Sequence, residues 1–359
     1  MKGIYSSLKA FRFPDRLAAI AEGRLPPPIH VRLKPTNRCG HRCSYCCFRT
    51  PGLPMGAAMD ERDEIPEPKL LEIADDLASM GVAAVTLSGG GDPLCHPAVL
   101  PLAERLLSGG VALAVLTNGS RLEGPIATAL AARASWVRVS MDAATPGTYA
   151  AIRGVARGEF DRVCANVAAF AAMQGRKAAI GLNYVVTREN AAEAGAFVAL
   201  ARGLGAAHVK LSAAVVSRDP AENAAYQAPF FEDVKRAVAE ARARSGTDGF
   251  RVADKVHAPD SAEEGFRRGY ATCPTARLLT VIAADASVYS CQDKAYEPDG
   301  CLGSIRDRRF ADFWLGGDAA RALDALRPDR VCGHHCVAHG KNLVLLEYLG
   351  LDGDHAPFV

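Results

Sequence analysis

The sequence predicts an α/β protein, a partial (β/α)6 barrel of parallel strands followed by a small cysteine-rich C-terminal domain. Between about residues 30 and 215, short apolar runs alternate with stretches of helical period, and polar motifs directly follow the apolar runs. Such alternation predicts a parallel sheet with right-handed crossovers. Six units fall short of the eight that close a barrel, so an open barrel is expected.

Each apolar run is short and rich in Val, Leu, Ile or Ala, as is typical of strands buried on both faces. The predicted strands are His30–Lys34, Ala83–Leu87, Val111–Leu116, Trp136–Met141, Ala179–Val186 and His208–Val215. Apolar residues at helical spacing indicate helices between them. These helices are predicted after Pro68 up to Gly81, and at Ala98–Ser108, Thr145–Arg153, Phe160–Gln174 and Ala191–Leu204.

Three segments are predicted: an N-terminal helical segment (1–29), the barrel with a helical connector (30–248) and a C-terminal domain (249–359). The connector is the stretch Asp219–Ser245. From Gly249 the strand–helix rhythm breaks. The C-terminal domain is predicted to contain a hairpin of Leu279–Ile282 and Val288–Cys291, and a helix at Phe310–Leu326.

Composition limits the partners and the compartment. Of the 359 residues, 49% are hydrophobic and 23% are charged, and the formal net charge is +2. This charge gives no reason to expect a nucleic acid or an anionic membrane as partner. The sequence contains no apolar run long enough for a transmembrane helix and no signal-peptide pattern, so a cytoplasmic location is expected. Eleven cysteines in that compartment indicate metal binding or catalysis rather than disulfides.

Polar motifs follow four consecutive predicted strands. They are the cysteine loop Cys39–Cys46, the stretch Ser88–Pro93, the triplet Thr117–Gly119 and the triplet Ser140–Asp142. Function in parallel barrels gathers at the carboxyl ends of the strands, where the loops converge. The four motifs are therefore expected to meet at one mouth of the barrel.

The spacing C-x3-C-x2-C of Cys39, Cys43 and Cys46 is specific. Three thiolates on a tight loop can hold three irons of a cubane and leave the fourth iron open to a small molecule. A zinc site completed by Cys47 or His41 is the alternative, but its fourth ligand would have to lie within the same cramped loop.

This loop, with Tyr45 in its aromatic position, resembles the signature of the radical S-adenosylmethionine (SAM) superfamily. The resemblance covers roughly residues 30 to 215. It implies a SAM-binding [4Fe–4S] cluster on the three cysteines, a Tyr45 main chain that touches adenine, and reductive cleavage of SAM to a 5′-deoxyadenosyl radical. Without the SAM motifs, a non-catalytic iron–sulfur or zinc protein, a redox carrier or scaffold, would be the alternative.

Gly90, Gly91 and Asp92 resemble the superfamily's Gly-Gly-Glu motif, whose backbone and carboxylate receive the amino group of SAM. Glycines permit close backbone approach. Aspartate replaces the usual glutamate here, and the additional Gly89 is expected to make up for its shorter reach. Outside this context, three glycines before Asp-Pro are an ordinary turn.

Ser140 and Arg153 resemble the pair that holds the SAM carboxylate in relatives with a second cluster domain. Asp142 and Asn118 lie where contacts to the ribose hydroxyls are expected. A plainer interpretation exists for three of these residues: Ser140 and Asp142 would cap the helix Thr145–Arg153, and Arg153 would be a solvated helix end.

The C-terminal cysteines predict a second metal site. Four thiolates with no open position suit an auxiliary [4Fe–4S] cluster, and the arrangement resembles an abbreviated SPASM, or twitch, domain. The proposed ligands are Cys273, Cys291, Cys332 and Cys336. The family usually ends in C-x2-C rather than the C-x3-C found here, so Cys301 is an alternative ligand. A zinc knuckle is the other alternative, with possible ligands at His334, His335 and His339.

Arg218 and Asp293 are predicted as catalytic or substrate-binding residues, because they follow the sixth strand and the cysteine at position 291. Lys210, Ser212 and Lys294 are further candidates for the cavity. Any of these five residues could equally be an ordinary surface residue.

The expected substrate is a small polar molecule such as a sugar, aminocyclitol or nucleotide sugar, because the residues before the first strand are too few for a leader-binding domain. The expected reaction is a dehydrogenation or a redox-neutral rearrangement, with flavodoxin or ferredoxin as reductant. The alternative is a maturase that modifies a peptide or protein, since a separate protein can supply leader recognition.

Overall fold

The structure is a computed structural model. It describes residues 6–49, 56, 58–244, 249–256, 268–333, 336–352, 354, 355 and 358.

A single sheet organises the described residues. Its strands are β1 (His30–Leu33), β2 (Ala84–Leu87), β3 (Ala112–Thr117), β4 (Trp136–Ser140), β5 (Ala179–Val186), β6 (His208–Ala213), β7 (Arg251–Asp254), β8 (Leu279–Ile282), β9 (Ser287–Tyr289) and β10 (Cys301–Ser304). Their order in the sheet is β10-β9-β8-β1-β2-β3-β4-β5-β6-β7. Every pair from β8 through β1 to β7 is parallel, and only β8–β9 and β9–β10 are antiparallel.

Helices accompany the strands. They are α1 (Pro14–Ala21), α2 (Glu67–Ser79), α3 (Val99–Ser108), α4 (Gly124–Arg133), α5 (Pro146–Arg153), α6 (Gly158–Ala172), α7 (Ala194–Gly203), α8 (Pro220–Gln227), α9 (Phe231–Arg244), α10 (Pro274–Leu278), α11 (Phe310–Leu315), α12 (Asp318–Ala325), α13 (Pro328–Val331) and α14 (His339–Leu349). Short 3-10 turns lie at Ser7–Arg12, Pro93–Cys95, Ala191–Glu193, Gln292–Lys294 and Pro298–Gly300.

The partial α/β barrel predicted from the sequence is confirmed, with all six predicted strands within two residues of their expected ends. The sheet is nevertheless larger than six strands. β7 pairs in parallel with β6, and β8 pairs in parallel with β1. The sheet therefore continues across residue 249, where the rhythm of the sequence breaks, and the division of the chain there stays a prediction.

Two helical predictions need correction. The helix α4 was not predicted, because its alanine-rich sequence carries only a weak apolar periodicity. The single helix expected over Phe310–Leu326 is two helices, α11 and α12. Gly316 and Gly317 separate them, and Gly317 has a left-handed φ of 93°, a conformation that glycine adopts without steric cost.

Along each strand, side chains point alternately to the inside of the barrel and to the helix layer. Val31 and Leu33 of β1 are fully buried in the main apolar core, as are Val209 and Leu211 of β6. Because successive side chains point to opposite faces, the residues between them face the barrel interior. None of the helices in the described residues combines the length and apolar composition that a bilayer crossing requires.

Candidate active site

The first cysteine group lies on the loop directly after β1. The end of α5 holds this loop in place: the Arg42 N–H donates to the Arg153 carbonyl at 2.9 Å, and the Ser44 N–H donates to the Ile152 carbonyl at 2.8 Å. Gly154, with φ +62°, allows this approach, because a Cβ there would lie 2.5 Å from the Arg42 carbonyl oxygen. Cys39, Cys43 and Cys46 are free thiols on a loop clamped to the fourth βα unit.

Nitrogen donors point at two of the three sulfurs. The Asn118 side-chain amide lies 3.7 Å from Cys39 Sγ, and the His41 backbone N–H donates to the same sulfur at 3.4 Å. Arg153 Nη1 donates to Cys43 Sγ at 3.2 Å. Burial raises the pKa of the Cys43 thiol, and the Arg153 guanidinium opposes that rise. In metalloproteins, donors of this kind are the outer contacts that orient metal-binding thiolates.

The glycine stretch after β2 packs against the segment that precedes Cys39. A Cβ on Gly90 would lie 2.4 Å from Asn37 Oδ1, and one on Gly91 would lie 2.1 Å from the Arg38 carbonyl oxygen. Real Cβ atoms essentially never come this close, so a side chain at Gly91 would collide with backbone, and one at Gly90 would displace the side chain of Asn37. The structure thus brings the predicted Gly90 and Gly91 against the cysteine loop.

The Asp92 carboxylate binds groups of its own chain, and its contact with the amino group of SAM stays a prediction. Its carboxylate accepts hydrogen bonds from the Leu94 N–H at 2.9 Å, the Asn118 N–H at 2.6 Å and the Thr117 hydroxyl at 2.9 and 3.1 Å. Burial raises the pKa of Asp92, and the hydrogen bonds from Asn118 and Thr117 oppose this rise. With both oxygens engaged, the carboxylate fixes the glycine stretch to the end of β3.

Tyr45, Asp142 and Arg153 form one network at the end of β4. The Tyr45 hydroxyl donates to Asp142 Oδ2, and Arg153 Nη1 donates to the Tyr45 oxygen at 2.8 Å and lies 3.2 Å from Asp142 Oδ2. Arg153 Nη2 donates to the Ser140 carbonyl. The carboxylate of Asp142, which is fully buried, also accepts the Val185 N–H at 2.5 Å. Protein groups thus engage the Asp142 carboxylate, which the sequence had placed at the ribose hydroxyls.

The alternative interpretation, in which Ser140 and Asp142 cap the helix and Arg153 is a solvated helix end, is wrong. The N-cap of α5 is Thr145, whose hydroxyl accepts the Thr148 N–H at 3.4 Å, and neither Ser140 nor Asp142 caps the helix. Arg153 is 3% exposed rather than solvated. Its Nε is buried without a hydrogen-bond partner among the described residues. This donor is therefore available to an anion beside Cys43.

The four C-terminal cysteines come from three separate segments and line one cavity. Cys273 precedes α10, Cys291 follows β9, and Cys332 and Cys336 lie between α13 and α14. Burial raises the pKa of the Cys291 thiol well above its usual range, with further contributions from Asp293, Cys273 and Cys336. The four thiols, each partly buried, thus share one cavity.

Asn342 supports the second group. It is 1% exposed, and its side-chain amide lies 3.3 Å from Cys273 Sγ and 3.3 Å from the Tyr270 hydroxyl. Its Oδ1 accepts the Thr275 N–H at 2.9 Å. This residue was not predicted, because a single asparagine within a helical stretch carries no distinguishing signal.

The alternative ligands receive less support. Cys301 is exposed on β10 and does not line the cavity. The His339 ring stacks on Tyr270 with centroids 5.7 Å apart, and His334 and His335 lie outside the described residues. His41 Nε2 lies 2.8 Å from the Ser120 hydroxyl. No three His, Cys, Asp or Glu side chains in the described ranges are placed to share one metal ion.

Asp293 acts electrostatically on both cysteine groups, since its charge affects Cys47 in the first loop as well as Cys291 and Cys336 in the second group. It also lines the cavity of the C-terminal cysteines, together with Arg32. Of the two predicted catalytic residues, Asp293 thus lies beside the C-terminal cysteines, and its catalytic role stays a prediction.

The other predicted cavity residues differ in position. Arg218 pairs with Glu297 at 3.6 Å and its side chain is 41% exposed, which places it at the rim. Lys294 is buried and pairs with Asp299. Lys34 was not predicted, although its alternation with the buried Leu33 signalled an inward-facing charge. It is fully buried, with Nζ 4.2 Å from the centroid of the Phe48 ring.

A partial parallel barrel with a C-x3-C-x2-C loop at its mouth defines a class of enzymes that bind a [4Fe–4S] cluster and SAM. A sequence model described as the radical SAM superfamily matches residues 33–201. The matched segment, just under half of the chain, is a radical SAM domain, and the protein is an enzyme that uses a [4Fe–4S] cluster and SAM.

Relatives with named activities match most of the chain. Mycofactocin maturase MftC from Mycobacterium tuberculosis (strain CDC 1551 / Oshkosh) is 26% identical over 354 residues, covering 94% of this chain and 84% of the relative. PqqA peptide cyclase from Xanthomonas campestris pv. campestris (strain 8004) is 26% identical over 300 residues, covering 82% of this chain and 75% of the relative.

Solved structures share the fold. Streptococcus suis SuiB bound to S-adenosylmethionine has a TM-score of 0.62 at 14% identity, covering 83% of this chain and 68% of SuiB. The complex of SuiB with precursor peptide SuiA has a TM-score of 0.64 at 13% identity, covering 88% and 71%. The anSMEcpe structure with bound AdoMet has a TM-score of 0.56 at 14% identity, covering 90% of this chain and 96% of that one.

Proposed function

We propose that this radical SAM enzyme modifies a peptide, the alternative named in the sequence analysis, rather than a small sugar-like molecule. The observation that carries the proposal is the identity of the relatives. A maturase and a peptide cyclase match 94% and 82% of the chain. These matches extend well beyond the superfamily segment 33–201 and therefore include C-terminal cysteines as well as the first loop.

In this proposal Cys39, Cys43 and Cys46 hold the SAM-binding cluster. When bound, the cluster and SAM supply a carbon radical that removes a hydrogen atom from an unactivated C–H bond. The Arg153 Nε, a buried donor without a protein partner, binds the carboxylate of SAM beside Cys43. Backbone groups at Gly90 and Gly91 receive its amino group, since the Asp92 carboxylate is already engaged.

The Tyr45 main chain contacts the adenine. Asn118 positions the cofactor from the end of β3, where its amide also reaches Cys39 Sγ. Ser140 lies at the end of β4, and its carbonyl fixes the Arg153 guanidinium. Asp142 orients Tyr45 and Arg153 rather than touching the ribose.

The C-terminal segment 249–359 forms a SPASM or twitch-like domain in the proposal. Cys273, Cys291, Cys332 and Cys336 hold an auxiliary [4Fe–4S] cluster in the cavity that they share. Asp293, which lines the same cavity, would accept the proton that leaves the substrate, and the bound auxiliary cluster would supply an acceptor for the substrate's surplus electron. Arg218 contacts the peptide at the rim, and flavodoxin or ferredoxin supplies the reducing electron.

The test measures 5′-deoxyadenosine formed by the reconstituted enzyme, anaerobically, with dithionite and SAM. Two fractions of a cell extract are added separately: peptides above about 1 kDa, and metabolites below about 0.5 kDa. We expect the peptide fraction to accelerate nucleoside formation, and pretreatment of that fraction with immobilised protease to abolish the acceleration. Acceleration by the metabolite fraction alone would refute the peptide proposal and restore the small-molecule substrate.

A further inference from the structure

The interior of the barrel is lined by cations from strands that are not neighbours in the sheet. Arg32 on β1, Arg138 on β4 and Lys210 on β6 each alternate with fully buried core residues and so face inward. Their charges act on one another: Arg138 and Arg32 both affect Lys210, and Arg138 affects Arg32. The curved sheet therefore gathers positive charge in its interior.

Cysteines near the two proposed cluster sites compensate part of this positive charge. The buried Lys34 lies in the field of Cys46 and Cys47, and Arg32 lies in the field of Cys291. Asp293 acts on both cations as well. Thiolates that hold the two proposed clusters would therefore offset Lys34 and Arg32, as charged groups inside a protein require.

Lys210 has no such compensation. It makes no ion pair with a carboxylate of the described residues, and the groups that act most strongly on it, Arg138, Arg32 and Lys255, are all cations. Lys210 is partly buried, and an ammonium among other cations is unfavourable unless an anion offsets its charge. An anion bound on the inner wall would therefore be held favourably beside Lys210.

The wall around Lys210 is polar and suited to a carboxylate. Ser140 on β4, Asn183 on β5 and Lys210 on β6 are paired in strand register and share the inner face. The hydroxyl of Ser212, two residues further along β6, is buried without a hydrogen-bond partner among the described residues. The hydroxyl of Ser212, the amide of Asn183 and the ammonium of Lys210 lie on the same inner face and supply several donors for the acceptor sites of a carboxylate.

We propose that Lys210, together with Asn183 and Ser212, binds a carboxylate of the substrate on the inner wall of the barrel. The inference rests on the proposed function for its substrate class, a peptide that carries an acidic side chain or its C-terminal carboxylate into the barrel. The carboxylate of SAM is bound elsewhere, by Arg153 Nε beside Cys43. Arg153 ends the helix that follows β4, whereas Lys210 lies on β6.

The experiment compares Lys210→Met with the wild type and with Lys235→Met. Lys235 lies on α9, its side chain is 56% exposed, and it has no role in the site. The probe is the peptide fraction, used untreated or after its carboxyl groups are converted to methyl esters. Iron content and the visible cluster spectrum establish that each variant is loaded, and Lys210→Arg tests whether a cation at this position restores function.

We expect Lys210→Met to need about 10- to 100-fold more untreated peptide fraction for half-maximal nucleoside formation, the loss expected for one hydrogen bond to a charged group. Lys235→Met should match the wild type, and Lys210→Arg should recover part of the loss. The methylated fraction should not stimulate the wild-type enzyme. Equilibrium dialysis with labelled SAM should give the same affinity for Lys210→Met and wild type.

Three results would overturn the proposal: an unchanged half-maximal concentration for Lys210→Met, full stimulation by the methylated fraction, or weakened SAM binding by Lys210→Met. Weakened SAM binding would mean that Lys210 binds the carboxylate of SAM rather than a carboxylate of the substrate. If only the metabolite fraction stimulates the enzyme, the peptide function fails, and the same variants with that fraction still decide whether Lys210 binds a carboxylate.

Discussion

The two cysteine groups of this enzyme are built in opposite ways. The first is one loop of eight residues, Cys39–Cys46, and the second collects Cys273, Cys291, Cys332 and Cys336 from three segments. Donors from neighbouring elements reach two sulfurs of the first group, whereas Asn342 contacts Cys273 in the second. A local loop can be recognised from spacing alone, while a dispersed group depends on the whole C-terminal fold.

Removing a ligand from the first group should have the largest effect. We expect Cys43→Ala to abolish 5′-deoxyadenosine formation and to lower the iron content by about four atoms per chain, because a cubane needs its thiolates. The matched control is Cys301→Ala, which removes an exposed thiol and should keep the iron and the activity. SAM cleavage by Cys43→Ala at the wild-type rate would contradict the assignment.

Removing a ligand from the second cysteine group should distinguish its role from that of the first group. For Cys332→Ala we expect the loss of about four iron atoms per chain while slow SAM cleavage without substrate persists. Acceleration by the peptide fraction should disappear, because the substrate's surplus electron then has no acceptor. Iron quantification and the nucleoside assay measure the two effects. If Cys332→Ala kept its iron and Cys301→Ala lost iron, Cys301 rather than Cys332 would be the ligand.

The difference between the groups also explains what the sequence could predict. Strand ends were predictable because buried parallel strands are short and continuously apolar. The place of Cys39 at the barrel mouth followed from the strand before it. The partners of Asp92 and Asp142 were not predictable, because their carboxylates bind groups on other strands. Likewise, β7 is only four residues long, and its pairing with β6 is a tertiary contact.

The glycine stretch tests how tightly the first group is held. In Gly91→Ala the new Cβ would lie 2.1 Å from the Arg38 carbonyl oxygen, so the cysteine loop must shift. Overpacking of this kind costs about 1–3 kcal/mol, and we expect SAM to bind roughly 5- to 150-fold more weakly. Equilibrium dialysis with labelled SAM measures this.

Gly203→Ala provides the control for Gly91→Ala. Gly203 is in α7, has no atom within 4 Å of a Cβ placed there, and does not have a positive φ. This variant should bind SAM as the wild type does. Equal SAM affinity in the two alanine variants would show that the glycine stretch does not position the cofactor.

The smallest effect concerns Lys210, the interior cation that neither cysteine group compensates. Burial, followed by the charges of Arg138, Arg32 and Lys255, lowers the pKa of Lys210 to about 7 from its usual 10.5. Between these values the unfolded chain binds the additional proton, so this residue makes stability rise with pH over that window. Below pH 7 the charged form is present in both states and its burial is fully unfavourable.

We therefore expect Lys210→Met to be more stable than the wild type below pH 7, with the difference shrinking as the pH rises towards 10. Thermal midpoints measured anaerobically across this range test the prediction, with Lys235→Met, which should follow the wild type, as control. A difference that stays constant with pH would mean that a protein carboxylate already neutralises Lys210. In that case Lys210 would not be available to bind the carboxylate of the substrate.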